Sequence, residues 1–457
     1  MLIFMKKIIL VGASLIACIC FSKGSIAQPD PKKDKEIDYK RSSLTMVLIE
    51  DNDLGKDKDL VINSYNSNPF PDKYNNHQLV DQKLNVNNFK LSTEDFKKAG
   101  FYKDTLKTPM DFLKAKKKPF NKIRFLNAEK TLGIQEPSKE EITNIYIDKY
   151  IKDKKIAKQI VATWLNKKSD GSIDIELLKQ RGIYSASYFD KGQADNAILP
   201  TDILFDMGLM GNSYVVFNKL DFYENEPVAR LVRDAALAEA NIQLAGKPEI
   251  IVKKAIETIN KAYDLTKEGY TVKCNTYLYQ LEWNEGIAER FKNEFFKNKK
   301  DDFTWEINKT HWDTTNLFKM SFVGKTVTGS IVVGGKKSLQ EIIDLQVKRT
   351  MDNAMAKLQK EYVQFRPVVP VLNKIPITAK IGLKDGIEAG QKFEILQKSP
   401  DKKRPGLTTY KVIGSVKVNK KEPIWDNRNG VPDTSKITYT SFKGSTKESG
   451  VFIRLKK

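Results

Sequence analysis

Histidine is nearly absent from this chain of 457 residues: His77 and His311 are the only two. Any histidine-based triad or cage must use one of them, which removes most familiar catalytic and zinc designs. Cysteine is almost as scarce. Of three cysteines, Cys18 and Cys20 fall in an apolar run near the N-terminus, and Cys274 stands alone far downstream. A solitary thiol makes no intramolecular bridge, and no CxxC spacing for zinc or redox chemistry occurs. Cys274 lies in an alternating run and reads as a small buried apolar residue. Beyond the N-terminus no apolar stretch is long enough to span a bilayer. The GxSxG and HExxH signatures are missing too. Paired carboxylates leave no local signature, so a carboxylate hydrolase stays open.

Acidic residues are the minority, 57 against 78 basic, for a formal charge of +21. The excess persists when Lys6, Lys7 and Lys23 of the expected leader are set aside, and it favours anionic partners. The lysines are spread along the whole length, so a generally solvated basic surface is the simpler reading than a dedicated patch. Hydrophobic residues make up 40% of the chain and aromatics 10%, enough for two or three folded domains.

The N-terminus carries the clearest address. Lys6-Lys7 form a positive n-region, Ile8 to Phe21 an apolar run, and Ser25-Ile26-Ala27 a small-x-small cleavage site, with the cut between Ala27 and Gln28. A rival cut precedes Cys18, where Leu15-Ile16-Ala17-Cys18 resembles the lipobox of bacterial lipoproteins and makes Cys18 the lipidated residue. Ile19, Cys20 and Phe21 continue the apolar run, where a tether would turn polar, so release at Ala27 is preferred. The expected destination is the periplasm or outer envelope, free after Ala27 or lipid-anchored through Cys18.

Periodicity divides the remainder. Residues 28–136 read as an irregular region with short strands and helices. LTMVLIE (Leu44 to Glu50) is a buried strand, and NSNPFPDKYNN supplies turn chemistry. Short helices are expected around Phe96 to Tyr102 and Met110 to Leu113. Residues 137–365 read as an α+β layer domain, with helices on a sheet. Its expected helices lie at 138–150, 156–165, within 193–209, and at 227–245, 248–265 and 338–362. Its strands lie at 213–223, 270–283 and 320–333. Residues 366–457 hold only short strands and turns, and predict a small all-β barrel or sandwich.

Each candidate site has a simpler competitor. GSIVVGGKKSLQEII (Gly329 to Ile343) has a phosphate loop's setting but lacks a glycine at Ser330 and a hydroxyl at Lys337. Ser338 and Glu341 make a capping box instead. NKKSDGSIDIEL (Asn166 to Leu177) echoes a calcium loop, yet Lys168 and Leu177 occupy ligand positions, and Asp170-Gly171 reads as a helix-ending turn. DNDLGKDKD (Asp51 to Asp59) could hold calcium but lacks the closing glutamate, and a solvated turn is the simpler reading. His311, with Glu306 and Asp313 near it in sequence, could contribute to a metal site; a surface histidine explains it as well. No catalytic, metal or cofactor set is therefore assigned. The alanine-rich pair from Pro227 to Leu265 offers amphipathic faces for a subunit or a membrane. The simpler expectation is that both helices cover the sheet, as crossover helices do.

KIGLKDGIEAGQKFEIL (Lys380 to Leu396) resembles small β modules of bacterial envelope proteins, including the C-terminal part of flagellar-assembly periplasmic proteins. The matching residues are Gly382, Asp385, Gly386, Gly390 and Phe393, with Ile387 as a core plug. The strands at 213–223 and 270–283 are similar to those in the periplasmic domain of curli-secretion lipoproteins. These resemblances imply an envelope-located assembly or binding role without catalytic residues. The expected partner is another envelope protein or an anionic envelope component, with no specific nucleic acid. Tyr410, Trp425 and Tyr439 are aromatics of the β module that serve equally as core or as anchors. The rival functions are a secreted hydrolase of an anionic polymer and a lipid-anchored assembly subunit.

Overall fold

The computed structural model describes residues 42–79, 82–100, 137–173, 210–297, 305–307, 309–334, 337–400, 408–429 and 437–456. The leader, the Ala27–Gln28 cut, Cys18, the Met110 to Leu113 helix and residues 193–209 lie outside them.

The chain opens with β1 (Ser43–Glu50), α1 (Lys58–Asn66), β2 (Asn75–Asn76), β3 (Lys83–Asn85) and α2 (Thr93–Lys98). Next come α3 (Lys139–Asp153), α4 (Ile156–Trp164), β4 (Ser172–Ile173) and β5 (Ser213–Glu224). Two long helices, α5 (Glu226–Gln243) and α6 (Glu249–Thr266), precede β6 (Gly269–Leu281). They are followed by α7 (Glu285–Phe295), β7 (Phe296–Lys297), β8 (Trp305–Ile307), α8 (Lys309–Thr314), β9 (Met320–Val333) and α9 (Leu339–Glu361). The strands β1, β5, β6 and β9 lie side by side in a six-stranded sheet, with β2 and β3 against β1. β1 runs parallel to β5, whereas β5–β6 and β6–β9 are antiparallel. The strand from the N-terminal region is thus an inner strand of the layer domain.

Helices cover both faces of the sheet, which is why β1 is an unbroken apolar run instead of an alternating one. On one face Val47, Ile49, Val215, Phe217, Tyr277 and Tyr279 pack with α3, α4 and α7 around Tyr150, Trp164 and Phe291. On the other, Leu44, Met46, Leu48, Val216, Leu220 and Cys274 pack with α1 and α9 around Tyr65, Val347 and Met351. Capping boxes at Ser138–Glu141 and Ser338–Glu341 start α3 and α9 at the expected residues. Among the described residues β9 pairs only with β6, which leaves a long edge. Tyr362, Lys357 and Asn353 blunt it by donating to the carbonyls of Lys325 (3.0 Å), Val327 (3.2 Å) and Gly329 (3.3 Å).

The α5–α6 pair departs from the sequence reading. β5 and β6 are antiparallel neighbours, and such neighbours need only a tight turn, never a crossover. The two helices are an insertion at that turn, packed on each other. α5 buries only Ala229, Ala236 and Ala240, and α6 buries no residue at all. They do not cover the sheet.

Beyond α9 the chain forms a closed barrel, the β module expected from the sequence, in which a barrel and not a sandwich is realised. Its strands are β10 (Val369–Lys374), β11 (Ile377–Ala379), β12 (Lys392–Pro400), β13 (Thr408–Val418), β14 (Thr440–Lys443) and β15 (Val451–Leu455). Ile387 and Phe393 sit in its core with Ile377, Val416 and Phe442.

Candidate functional site

Two features stand out from the packed layers. One is a charge cluster at the end of β1 and β5; the other is the α5–α6 hairpin.

The cluster centres on Lys219, which is only 4% exposed. Its side chain shares a register with Asp221 on β5, on the sheet face that carries Val215 and Phe217 further along the strand. The Lys219 ammonium meets Asp51 at 2.8 Å, Asp221 at 2.6 Å, and Asp53. Asp51 and Asp53 converge because DND forms a tight turn after β1, in which the Asp51 carboxylate accepts the Asp53 backbone N–H at 2.9 Å. Lys139, at the start of α3, reaches Asp53 from outside at 2.5 Å, and the Asn275 amide lies 3.4 Å from Asp221.

Burial raises the Asp51 carboxyl above its ordinary value despite the lysine. For Asp53 burial pushes the same way, but hydrogen bonds from Lys139 and Lys219 outweigh it and hold that carboxyl low. Burial alone would discharge Lys219; its three carboxylates reverse this and raise its pKa. An ammonium has three donors, and all three are engaged. The DNDLGKDKD stretch is therefore no solvated turn, nor a calcium loop: a lysine of this chain occupies the centre. Asp57 faces elsewhere and accepts from the Tyr270 hydroxyl. Chemically the cluster is a lock between the turn after β1 and the end of β5, with no free carboxylate pair to act on a substrate.

The remaining candidates resolve one by one. Asp170 accepts from both the backbone and the hydroxyl of Ser172, at 2.8 and 2.7 Å, as a turn after α4. Leu177 of that stretch lies outside the described residues. Ser338 is a helix cap, so the glycine-lysine stretch before it opens a helix; Gly335 and Lys336 lie outside the described residues. His77 is buried edge-on against Trp164, ring centres 4.6 Å apart. His311 is exposed on α8 beside Phe295. Among the described residues no group of three or more His, Cys, Asp or Glu side chains could hold a metal ion.

The β module is fastened to the layer domain by its Asp-Gly turn. Asp385 pairs with Lys73 at 2.6 Å and accepts from the Gly382 N–H at 2.8 Å and from Asn427 at 3.1 Å. Gly386 has φ +72°, and a Cβ there would meet that of Ala356 on α9 at 2.9 Å, so the turn demands glycine. Asp352 of α9 accepts two hydrogen bonds from Asn429. The cleft between these groups has room for about one enclosed water molecule, as a seam between the two packed units does. Tyr410 is core, Trp425 half-buried and Tyr439 exposed.

The hairpin is what remains. Arg233 stacks over Tyr263 at 4.5 Å, and the Tyr263 hydroxyl donates to Glu226 at 2.9 Å, joining its two helices near their base. Along it Leu231, Ile242, Ile250, Ile251 and Leu265 stand exposed, Ile242 at 78% and Ile250 at 76%. This concentration of exposed apolar side chains on one element makes the hairpin the candidate interaction surface. The sequence announced the helices but not their exposure. In the sequence the Lys219 cluster shows as a lysine and an aspartate two apart inside a mostly apolar strand. No protein-family model matches this chain, and no curated protein does either.

Proposed function

We propose that this protein is an exported, non-enzymatic component of a bacterial envelope that works by docking, with the α5–α6 hairpin as its docking element. The observation that carries this reading is the hairpin itself, two long helices that leave Leu231, Ile242, Ile250, Ile251 and Leu265 exposed. Export rests on the leader from Lys6 to Ala27, and the envelope setting on the resemblance of the Lys380 to Leu396 module. The hairpin's exposed aliphatic residues favour a protein partner over an anionic polymer. The rival hydrolase finds little support, since the convergence of Asp51, Asp53 and Asp221 is filled by Lys219.

Photo-crosslinking in intact cells tests the proposal. A benzophenone side chain at Ile242 or Ile251 should give discrete protein adducts in the envelope fraction, and one at Lys411 on the barrel should give fewer. Equal labelling at all three positions, or recovery of the unprocessed chain from the cytosol, would overturn it.

A further inference from the structure

α5 carries a second apolar stripe, Leu231, Ala235, Ala238 and Ile242, at steps of four, three and four residues. This is the seam spacing of packed helices. At 3.6 residues per turn the stripe lies on the side of α5 opposite Ala229, Ala236 and Ala240, the residues turned toward α6. Leu231 is 64% exposed. α6 bears a matching stripe, Ile251, Ala255, Thr258, Ala262 and Leu265, at steps of four, three, four and three. It lies about a quarter-turn round from the α6 residues that meet α5. The two stripes point in different directions, so one chain cannot close its own pair.

The flanks differ in charge. Bordering the α5 stripe are Asp234 and Asn241; bordering the α6 stripe in the equivalent positions are Lys254 and Lys261. Arg233 already pairs with Asp234, but through Oδ1 alone. When two such stripes pack antiparallel, these flanking positions face each other. An α6–α6 contact would oppose lysine to lysine, and an α5–α5 contact gains no ion pair. Only α5 against α6 brings Asp234 to Lys254 or Lys261. The hairpin's charges nearly balance, which disfavours an anionic lipid surface as the occupant.

We infer that the outer stripe of α5 receives the outer stripe of α6 from a second copy of this chain, packed antiparallel. The contact is head-to-tail, so it does not saturate at a dimer. This rests on the docking role proposed above and names its partner.

The test is sedimentation velocity on the purified mature chain, with two variants that each keep one stripe. L231E/I242E disables the α5 face and I251E/L265E the α6 face; all four side chains are exposed, and circular dichroism checks the fold. Wild type should form species larger than a dimer as concentration rises. Each variant alone should lose them and run as a monomer. Their equimolar mixture should recover a dimer, since each supplies the face the other lacks. A milder pair, D234K and K254E/K261E, should likewise weaken assembly separately and restore contact when mixed. A monomeric wild type, or a mixture that stays monomeric, overturns the inference. So does a wild type that is monomeric in buffer but floats with phosphatidylglycerol vesicles. If crosslinks at Ile242 persist in cells while the purified chain stays monomeric, the docking role stands and the second copy falls.

Discussion

Glu224 and Tyr270 face each other as the last cross-strand pair of β5 and β6, although the whole helical hairpin lies between them in sequence. Asn225 continues the pairing by donating its N–H to the Gly269 carbonyl at 3.1 Å. The sheet is closed at that point without the hairpin. A short turn would suffice there, and the helices are therefore spare to the fold and available for docking.

Excision follows directly. Replacing residues 226–268 with a two-residue Asn-Gly turn should leave the body folded, with a midpoint of urea unfolding close to wild type, because α6 has no fully buried residue and α5 only three alanines. Chemical denaturation followed by tryptophan fluorescence checks this; the sequence places no Trp in the excised segment.

Lys219 should matter far more than its surface neighbours. Lys219→Met removes the shared counter-ion of Asp51, Asp53 and Asp221 and leaves only Lys139 on Asp53, a loss of about 3 kcal/mol measurable by urea unfolding at pH 7. In the wild type Asp53, held low, and Asp51, raised by burial, contribute opposing pH dependences, and removing Lys219 should shift the balance toward acid. The Asp53 contribution is present at neutral pH and fades as pH falls through its lowered folded pKa. In the variant the uncompensated carboxylates gain protons more readily folded than unfolded. Its stability should rise as the pH is lowered from 7 toward 5.

Cys274 is wholly buried, and that burial pushes its thiol up to about 12. It should therefore resist Ellman's reagent at pH 8 in the native protein and react once urea unfolds it. Rapid native labelling at the wild-type rate of a free thiol would contradict the packing of β6.

Intact-mass measurement addresses the leader. The exported protein should begin at Gln28. A mass beginning at Cys18 with added acyl chains would replace release with anchoring.

The regular elements were legible because their determinants are local. Ser138 and Ser338 each precede a glutamate by three residues, and both open helices at the expected place. The run of short strands with Asp385-Gly386 and Gly390 between them announced a β module, and closure into a barrel selected one of two open choices. What was not legible depended on pairing at a distance. Whether helices 227–245 and 248–265 covered a sheet turned on β5 and β6 being antiparallel neighbours, which no periodicity reports. The DND turn looked solvated because its counter-ion, Lys219, lies far away in sequence and arrives through the parallel pairing of β1 with β5. α7 and α8, short and rich in charge, were also unmarked.

The most direct measurement is the envelope association of the hairpin-excised protein beside the full chain, in cells producing each at equal level. Docking through α5 and α6 predicts that the full chain fractionates in envelope complexes while the excised chain, still folded, runs as a free monomer. An excised chain that enters the same complexes to the same extent would contradict the account.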